Sequence, residues 1–218
     1  MIEAKFKLTE ETINVDDRTL YRIEALKDFA NIKKGDKGGF VENEKNLSQR
    51  GDCWVYENAK VYGNAEVYDD AKVYGNAWVF DNAKVYEDAE VFGIAEVCGN
   101  AEICGNAEVF GNAQVYDNAK VFEDAEVFGI AEVCGNAEIC GNAEIASNSD
   151  YILFKNWWSS GRHFTWTRSN NMWKVGCFYG TGEQLIEKAY KDSEKSGREY
   201  ERVVKYVESI LKDNNADV

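Results

Sequence analysis

At 218 residues with 44% apolar side chains, the chain is long enough to bury one core and carry an attached unit. No run approaches the roughly 18 apolar residues of a membrane span, and the opening MIEAKFKLTEE lacks the apolar stretch of a secretory signal. A soluble, cytoplasmic protein is the expectation. The net charge of −14 is unevenly placed: residues 1–50 carry 10 acidic and 10 basic side chains, residues 51–146 carry 19 against 4, and residues 147–218 carry 10 against 11. The excess of acid sits in the middle segment, a sign that argues against direct binding of nucleic acid or an anionic membrane there.

Residues 1–50 read as an N-terminal cap. Within Leu20 to Gln49 the sequence predicts a strand (LYRIEAL), a turn-rich connection (KKGDKGGF) and an irregular first coil. A solenoid needs such a cap because its terminal strands would otherwise expose unpaired backbone groups.

Residues 51–149 are a six-residue repeat. Val or Ile recurs at every sixth position from Val55 to Ile145, sixteen times without a miss, and Ala stands two places earlier from Ala59 to Ala143. Residues two apart on a strand share a face, so Ala and Val point inward together. Asn or Asp falls at each corner (Asn58, Asn64, Asp70, Asn76 and onward), often after Gly, where a left-handed backbone is expected. Three strands and three corners close an 18-residue triangular coil. Residues 87–108 and 123–144 are identical at an offset of 36, or two coils. The prediction is a mainly β fold: a left-handed parallel β-helix of about five coils at roughly 4.8 Å per rung, followed by a small α+β domain.

Positions 18 apart stack into outward columns. One alternates in sign: Glu66, Lys84, Glu102, Lys120, Glu138. Its side chains can pair from rung to rung, which is a structural role. A second reads Lys72, Glu90, Glu108, Glu126, Glu144, and a third Lys60, Trp78, Glu96, Gln114, Glu132. Like charges stacked directly disfavour folding, so the glutamates serve either solubility and the prevention of stacking between molecules or an acidic binding face. For the second reading the candidate residues are Glu90, Glu96, Glu108, Glu126, Glu132 and Glu144.

The residue after each Val gives three further columns: Tyr56, Tyr74, Phe92, Phe110, Phe128; Tyr62, Phe80, Cys98, Tyr116, Cys134; and Tyr68, Tyr86, Cys104, Phe122, Cys140. Outward ring ladders stack on themselves, and so much apolar surface suggests a partner on one column. Cys98 and Cys134 share a column two rungs apart, as do Cys104 and Cys140, too far for a disulfide. Reduced thiols are expected, with no metal and no cofactor. Ile94 and Ile130 replace the corner Asn, again two coils apart.

Residues 150–218 break the period. Three strands are expected around Tyr151–Asn156, His163–Arg168 and Met172–Cys177, then a helix over Glu183–Asp192 capped by Thr181. A second helix, about Ser196–Lys212, has Tyr200, Val203, Val204, Val207 and Leu211 on one face. Trp157, Trp158, Arg162, His163, Trp166 and Arg168 form the second candidate binding set, since aromatics beside arginines hold nucleotides or single strands. The alternative is that the aromatics fill a small core. Oligomerisation through this domain is also expected.

The run LYRIEALKDF…IKKGDKGGFVENEKNLSQRGDCWVYENAKVYGNA resembles the YdcK-type hexapeptide-repeat proteins of bacteria, phages and prophages over about residues 20–146, with GGFVE and NLSQ as its distinctive parts. The VGCFYGT…EY pattern is similar, more loosely, to the tail domain of phage-encoded relatives. The resemblance implies a solenoid; a fold alone implies no activity. Hexapeptide acyltransferases, as the resemblance would have it, place a general-base histidine on a coil beside an extruded loop. Here the one histidine, His163, lies outside the repeat and no loop interrupts the hexads. No catalytic residues are expected. The reading is a non-catalytic acidic protein that inhibits a host nucleic-acid-binding or defence protein, such as a CRISPR effector, in the host cytoplasm. The alternatives are an oligomeric scaffold, a small-ligand sponge or an acyltransferase.

Overall fold

The computed structural model describes residues 3–216. Strands β1 (Phe6–Val15) and β2 (Arg18–Ala25) form an antiparallel hairpin, and β3 (Lys37–Val41) pairs antiparallel with β2. Sixteen two-residue strands follow, β4–β19, from Trp54–Val55 to Glu144–Ile145. Each but the last three pairs in parallel with the strand 18 residues on, as in Glu90↔Glu108 and Val91↔Val109. The result is a mainly β protein: a three-faced β-solenoid with a small C-terminal domain. Face I carries Lys60, Trp78, Glu96, Gln114 and Glu132. Face II carries Glu66, Lys84, Glu102, Lys120 and Glu138. Face III carries Trp54, Lys72, Glu90, Glu108, Glu126 and Glu144.

The solenoid has about six coils rather than five, because the cap adds a rung to two of the three faces. Strand β3 pairs in parallel with Lys60–Val61, Leu47 bridges to Val67, and Trp54–Val55 opens face III. The supposed turn KKGDKGGF therefore ends in a strand. Gly38 and Gly39 make that possible: a Cβ on either would lie 2.5 Å from the Val55 carbonyl oxygen or 2.6 Å from that of Ala59. The strand β1 ahead of it carries no hexad signal and was not anticipated. Inside, every repeat Ala from Ala59 to Ala143 is buried, as is the Val or Ile two places on. Small and branched side chains alternate to fill a narrow triangular core, and burial of this apolar column is the main favourable term for the fold.

The corners differ from the expectation in one respect. The left-handed residue is the one before the Asn or Asp: Gly63, Gly75 and Gly99, for example, but also Glu57, Asp69, Asp81, Glu87, Asp117 and Glu123. A non-glycine residue is disfavoured there by its Cβ. Four of these acids offset the cost by accepting a backbone N–H one rung on. Asp81 accepts from Gly99 at 3.3 Å, Glu87 from Gly105 at 2.6 Å, Asp117 from Gly135 at 3.0 Å and Glu123 from Gly141 at 2.6 Å. The corner Asn residues instead form an amide ladder, Asn64 to Asn82 to Asn100 to Asn118, at 3.1–3.2 Å per step.

In every rung the N–H groups point toward the C-terminal end, as Trp54 N–H does to the Ala71 carbonyl. The N-terminal end thus presents carbonyls and needs donors. Lys5 supplies them: fully buried, its Nζ donates to the carbonyls of Cys53 at 2.8 Å and Gly51 at 3.1 Å. Asn46 Nδ2 donates to the Ala65 carbonyl at 2.8 Å. The C-terminal end presents N–H groups and needs acceptors. Asn148 Oδ1 accepts from Glu132, Thr165 Oγ1 from Glu138 and Ser169 Oγ from Glu144, at 2.7, 2.9 and 2.8 Å.

Thr165 and Ser169 belong to the C-terminal domain or its turns, so that domain is the lid of the solenoid. It is an antiparallel sheet, β20 (Tyr151–Lys155), β21 (His163–Thr167), β22 (Met172–Val175) and β23 (Phe178–Gly180), under α1 (Gly182–Asp192) and α2 (Glu194–Ala216). Strand β23 adds to the three that were expected. Thr181 caps α1 by accepting the Gln184 N–H, while Gln184 accepts back from Thr181 N–H at 2.9 Å. Val204 and Val207 of α2 join Phe164, Trp166, Trp173 and Leu185 in a second core.

Candidate functional site

Face III is where sequence and structure point together. Glu90, Glu108, Glu126 and Glu144 are direct in-register neighbours. Glu90 is satisfied: Lys72 Nζ lies 2.7 Å away and the Tyr74 hydroxyl donates at 2.8 Å, and with these partners its carboxyl is held below the usual range despite partial burial. No cation lies within 4 Å of Glu108, Glu126 or Glu144 among the described residues. Burial, then the charges of Glu126 and Glu90, raise the Glu108 carboxyl above its ordinary value. Three adjacent rungs thus end in carboxylates that nothing in the fold neutralises.

Beside this column runs the one uninterrupted ring ladder. Tyr74, Phe92, Phe110 and Phe128 stack face to face with centroids 4.7, 4.8 and 5.2 Å apart. The rings are half-buried, as outward rings that stack on one another should be. At the adjoining corner Ile94 and Ile130 are 55% and 72% exposed, an uncommon place for isoleucine. At the head of the ladder Ala30, Asn31, Tyr56, Lys72, Tyr74 and Glu90 line an open recess of about 510 Å³.

The other two ladders are broken by thiols. Tyr68 stacks on Tyr86 at 4.8 Å and Tyr62 on Phe80 at 5.1 Å, after which cysteines alternate with rings. All six cysteines are free. Burial pushes the Cys98 thiol up to about 11 and the Cys140 thiol up to about 12, so both stay protonated and act as small apolar fillers.

The structure does not bring all six candidate glutamates together. Glu96 and Glu132 sit on face I, separated by Gln114. On face II the alternation closes one ion pair, Lys120 to Glu102 at 3.0 Å, and Glu138 is approached instead by Lys174 of the C-terminal domain at 3.7 Å.

The C-terminal candidates divide. Trp166 is 1% exposed, its Nε1 donating to Asn171 at 2.9 Å, so it is a core residue and not a binding surface. Trp158 packs on Phe164 and Tyr200. Trp157 is 83% exposed and Arg168 is exposed. Arg162 and His163 line a cavity against the solenoid, and Arg162 also borders Phe178 and Tyr200 on its other side. No family model matches the chain, and no curated protein matches it. Among the described residues no helix is long and apolar enough to cross a membrane. Sequence reasoning missed Lys5 and Asn46, which cap the first coil; the missing signal is periodic, since neither belongs to a hexad.

Proposed function

We propose that this is a non-catalytic binding protein whose face III engages a basic protein surface of the kind that handles nucleic acid. What carries the reading is the run Glu108, Glu126, Glu144: carboxylates in register on adjacent rungs with no cation, one of them with a raised carboxyl pKa. A partner's Lys or Arg side chains would remove that repulsion. The spacing of about 4.8 Å per rung is comparable to the phosphate charges of a nucleic-acid strand, so the same partner surface would accept either. The Phe92–Phe110–Phe128 ladder with Ile94 and Ile130 supplies the apolar component that charge alone lacks. The resemblance to phage-borne repeat proteins makes a host nucleic-acid-handling or defence protein, such as a CRISPR effector, the first partner to test. The test is capture from host lysate by the tagged chain, with duplex DNA as competitor and washes of rising salt. A mimic loses its partner to both.

Self-association is a second reading, favoured by one observation. Trp157 projects from the C-terminal domain at 83% exposure, near Trp158. If that ring is an oligomer contact, Trp157→Ala lowers the mass measured by light scattering and leaves face III binding in place.

A further inference from the structure

The second site lies where the C-terminal domain meets face II, and it inverts the charge of its surroundings. A cavity of about 290 Å³ is walled on one side by Asn118, Lys120 and Glu138 of the solenoid, and on the other by Arg162, His163, Thr165 and Lys174 of the lid. Lys120 is held near Glu102 at 3.0 Å, and Lys174 lies over the Phe122 ring at 5.3 Å with Glu138 at 3.7 Å. Arg162 and His163 make no ion pair among the described residues. Three basic side chains, Lys120, Arg162 and Lys174, therefore line the cavity with one carboxylate, Glu138, at the end of a solenoid with 19 acidic and 4 basic side chains; Lys120 and Lys174 each have a carboxylate partner and Arg162 has none among the described residues.

Two further observations point into the same space. The corner amide ladder runs unbroken from Asn64 to Asn118 and then stops: Asn118 accepts from Asn100 at 3.1 Å, while its own Nδ2 does not reach Asn136. The break falls at the cavity wall, where both amides are present. Thr165, 1% exposed, accepts the Glu138 N–H through Oγ1 at 2.9 Å, and its hydroxyl proton has no acceptor among the described residues. The capping role of the lid uses Thr165 as an acceptor only; it requires neither Arg162 nor His163. A donor-rich cavity of this size, with a planar guanidinium at the rim and ammonium groups on both walls, matches a compact oxyanion that accepts several hydrogen bonds at once.

We propose that this junction is a binding site for a small phosphate monoester, with Arg162 and Lys120 on opposite walls holding the phosphate and the Asn118 amide and Thr165 hydroxyl donating to it. The proposal does not depend on the role of face III. It is tested by titrating isotope-labelled full-length protein with ribose 5-phosphate, inorganic phosphate and, as the uncharged control, ribose. The side-chain amide signals of Asn118 and Asn136 should shift and saturate with the two phosphates and stay fixed with ribose. Arg162→Gln should weaken binding at least tenfold and Arg162→Lys by a smaller factor, while Arg202→Gln on the exposed face of α2 leaves it unchanged. Thermal unfolding of each variant confirms that it is folded. Amide shifts that chloride reproduces at equal ionic strength, or an affinity that Arg162→Gln leaves intact, would overturn the site.

Discussion

Faces II and III share a backbone, a rung spacing and a buried Ala–Val core, yet they treat charge in opposite ways. Face II alternates Glu66, Lys84, Glu102, Lys120, Glu138, and its last rungs are covered by the C-terminal domain through Lys174 and Thr165. Face III stacks Glu90, Glu108, Glu126 and Glu144, and the domain reaches it by the Ser169 bond to the final rung. Alternation is what a column does when its neighbours are its partners. On the function proposed above, a run of like charge beside a ring ladder marks a column whose partner lies outside the chain. The fold tolerates it because each stacked pair costs only about 0.2–1 kcal/mol, a cost the buried core readily absorbs.

The largest expected effect is on binding. Neutralising Glu90, Glu108, Glu126 and Glu144 together to Gln should weaken partner capture at least a hundredfold, whereas Glu66→Gln with Glu102→Gln on face II should change it less than threefold. Next comes the ladder. Phe110→Ala removes a ring stacked on both Phe92 and Phe128, and should cost about 2 kcal/mol in a denaturant titration, below the roughly 3–5 kcal/mol of a fully buried Phe. Charge reversal then separates the faces directly. Glu108→Lys places a cation between Glu90 and Glu126 and should stabilise by about 0.5 kcal/mol. Glu102→Lys creates three stacked lysines and should destabilise by a similar amount.

The smallest effect is the dependence on pH. A carboxyl whose pKa is raised by folding binds its proton more readily in the native state, so stability falls as pH rises through that raised value. Glu108 should therefore cost stability at neutral pH and cease to do so once protonated in acid. Glu90, held low with Lys72 and Tyr74 as partners, runs the other way and loses its contribution as pH falls. Glu108→Gln should be a few tenths of a kcal/mol more stable than the parent at pH 7, after discounting for exposure. The two curves should converge as pH falls below the ordinary carboxyl range.

Most of the solenoid was legible because its physics is periodic. Ala and Val two apart, repeated every six residues, dictate the strand, the inward face and the coil, and in-register pairing placed the glutamate columns correctly. What was hidden is whatever lacks a period. Asn46 caps a carbonyl 19 residues away and Lys5 one 48 residues away, β1 carries no hexad pattern, and the first coil takes two of its rungs from β3 and Leu47, which a count of hexads cannot see. Composition also misled at Trp166: an indole next to arginines in sequence reads as a binding surface, but alternation along β21 turns it into the core while His163 and Thr165 face the solenoid. The junction between them depends on how the lid docks, which no local pattern encodes.

The most direct test of the central claim is one capture experiment run on three proteins: the parent, the face III variant with four Gln, and the face II variant with two. Each is exposed to the same host lysate, washed with rising salt and challenged with duplex DNA. A nucleic-acid-binding partner should be held by the parent and the face II variant, released by salt and DNA, and absent from the face III variant. A partner that resists salt and DNA and binds all three equally would contradict that claim.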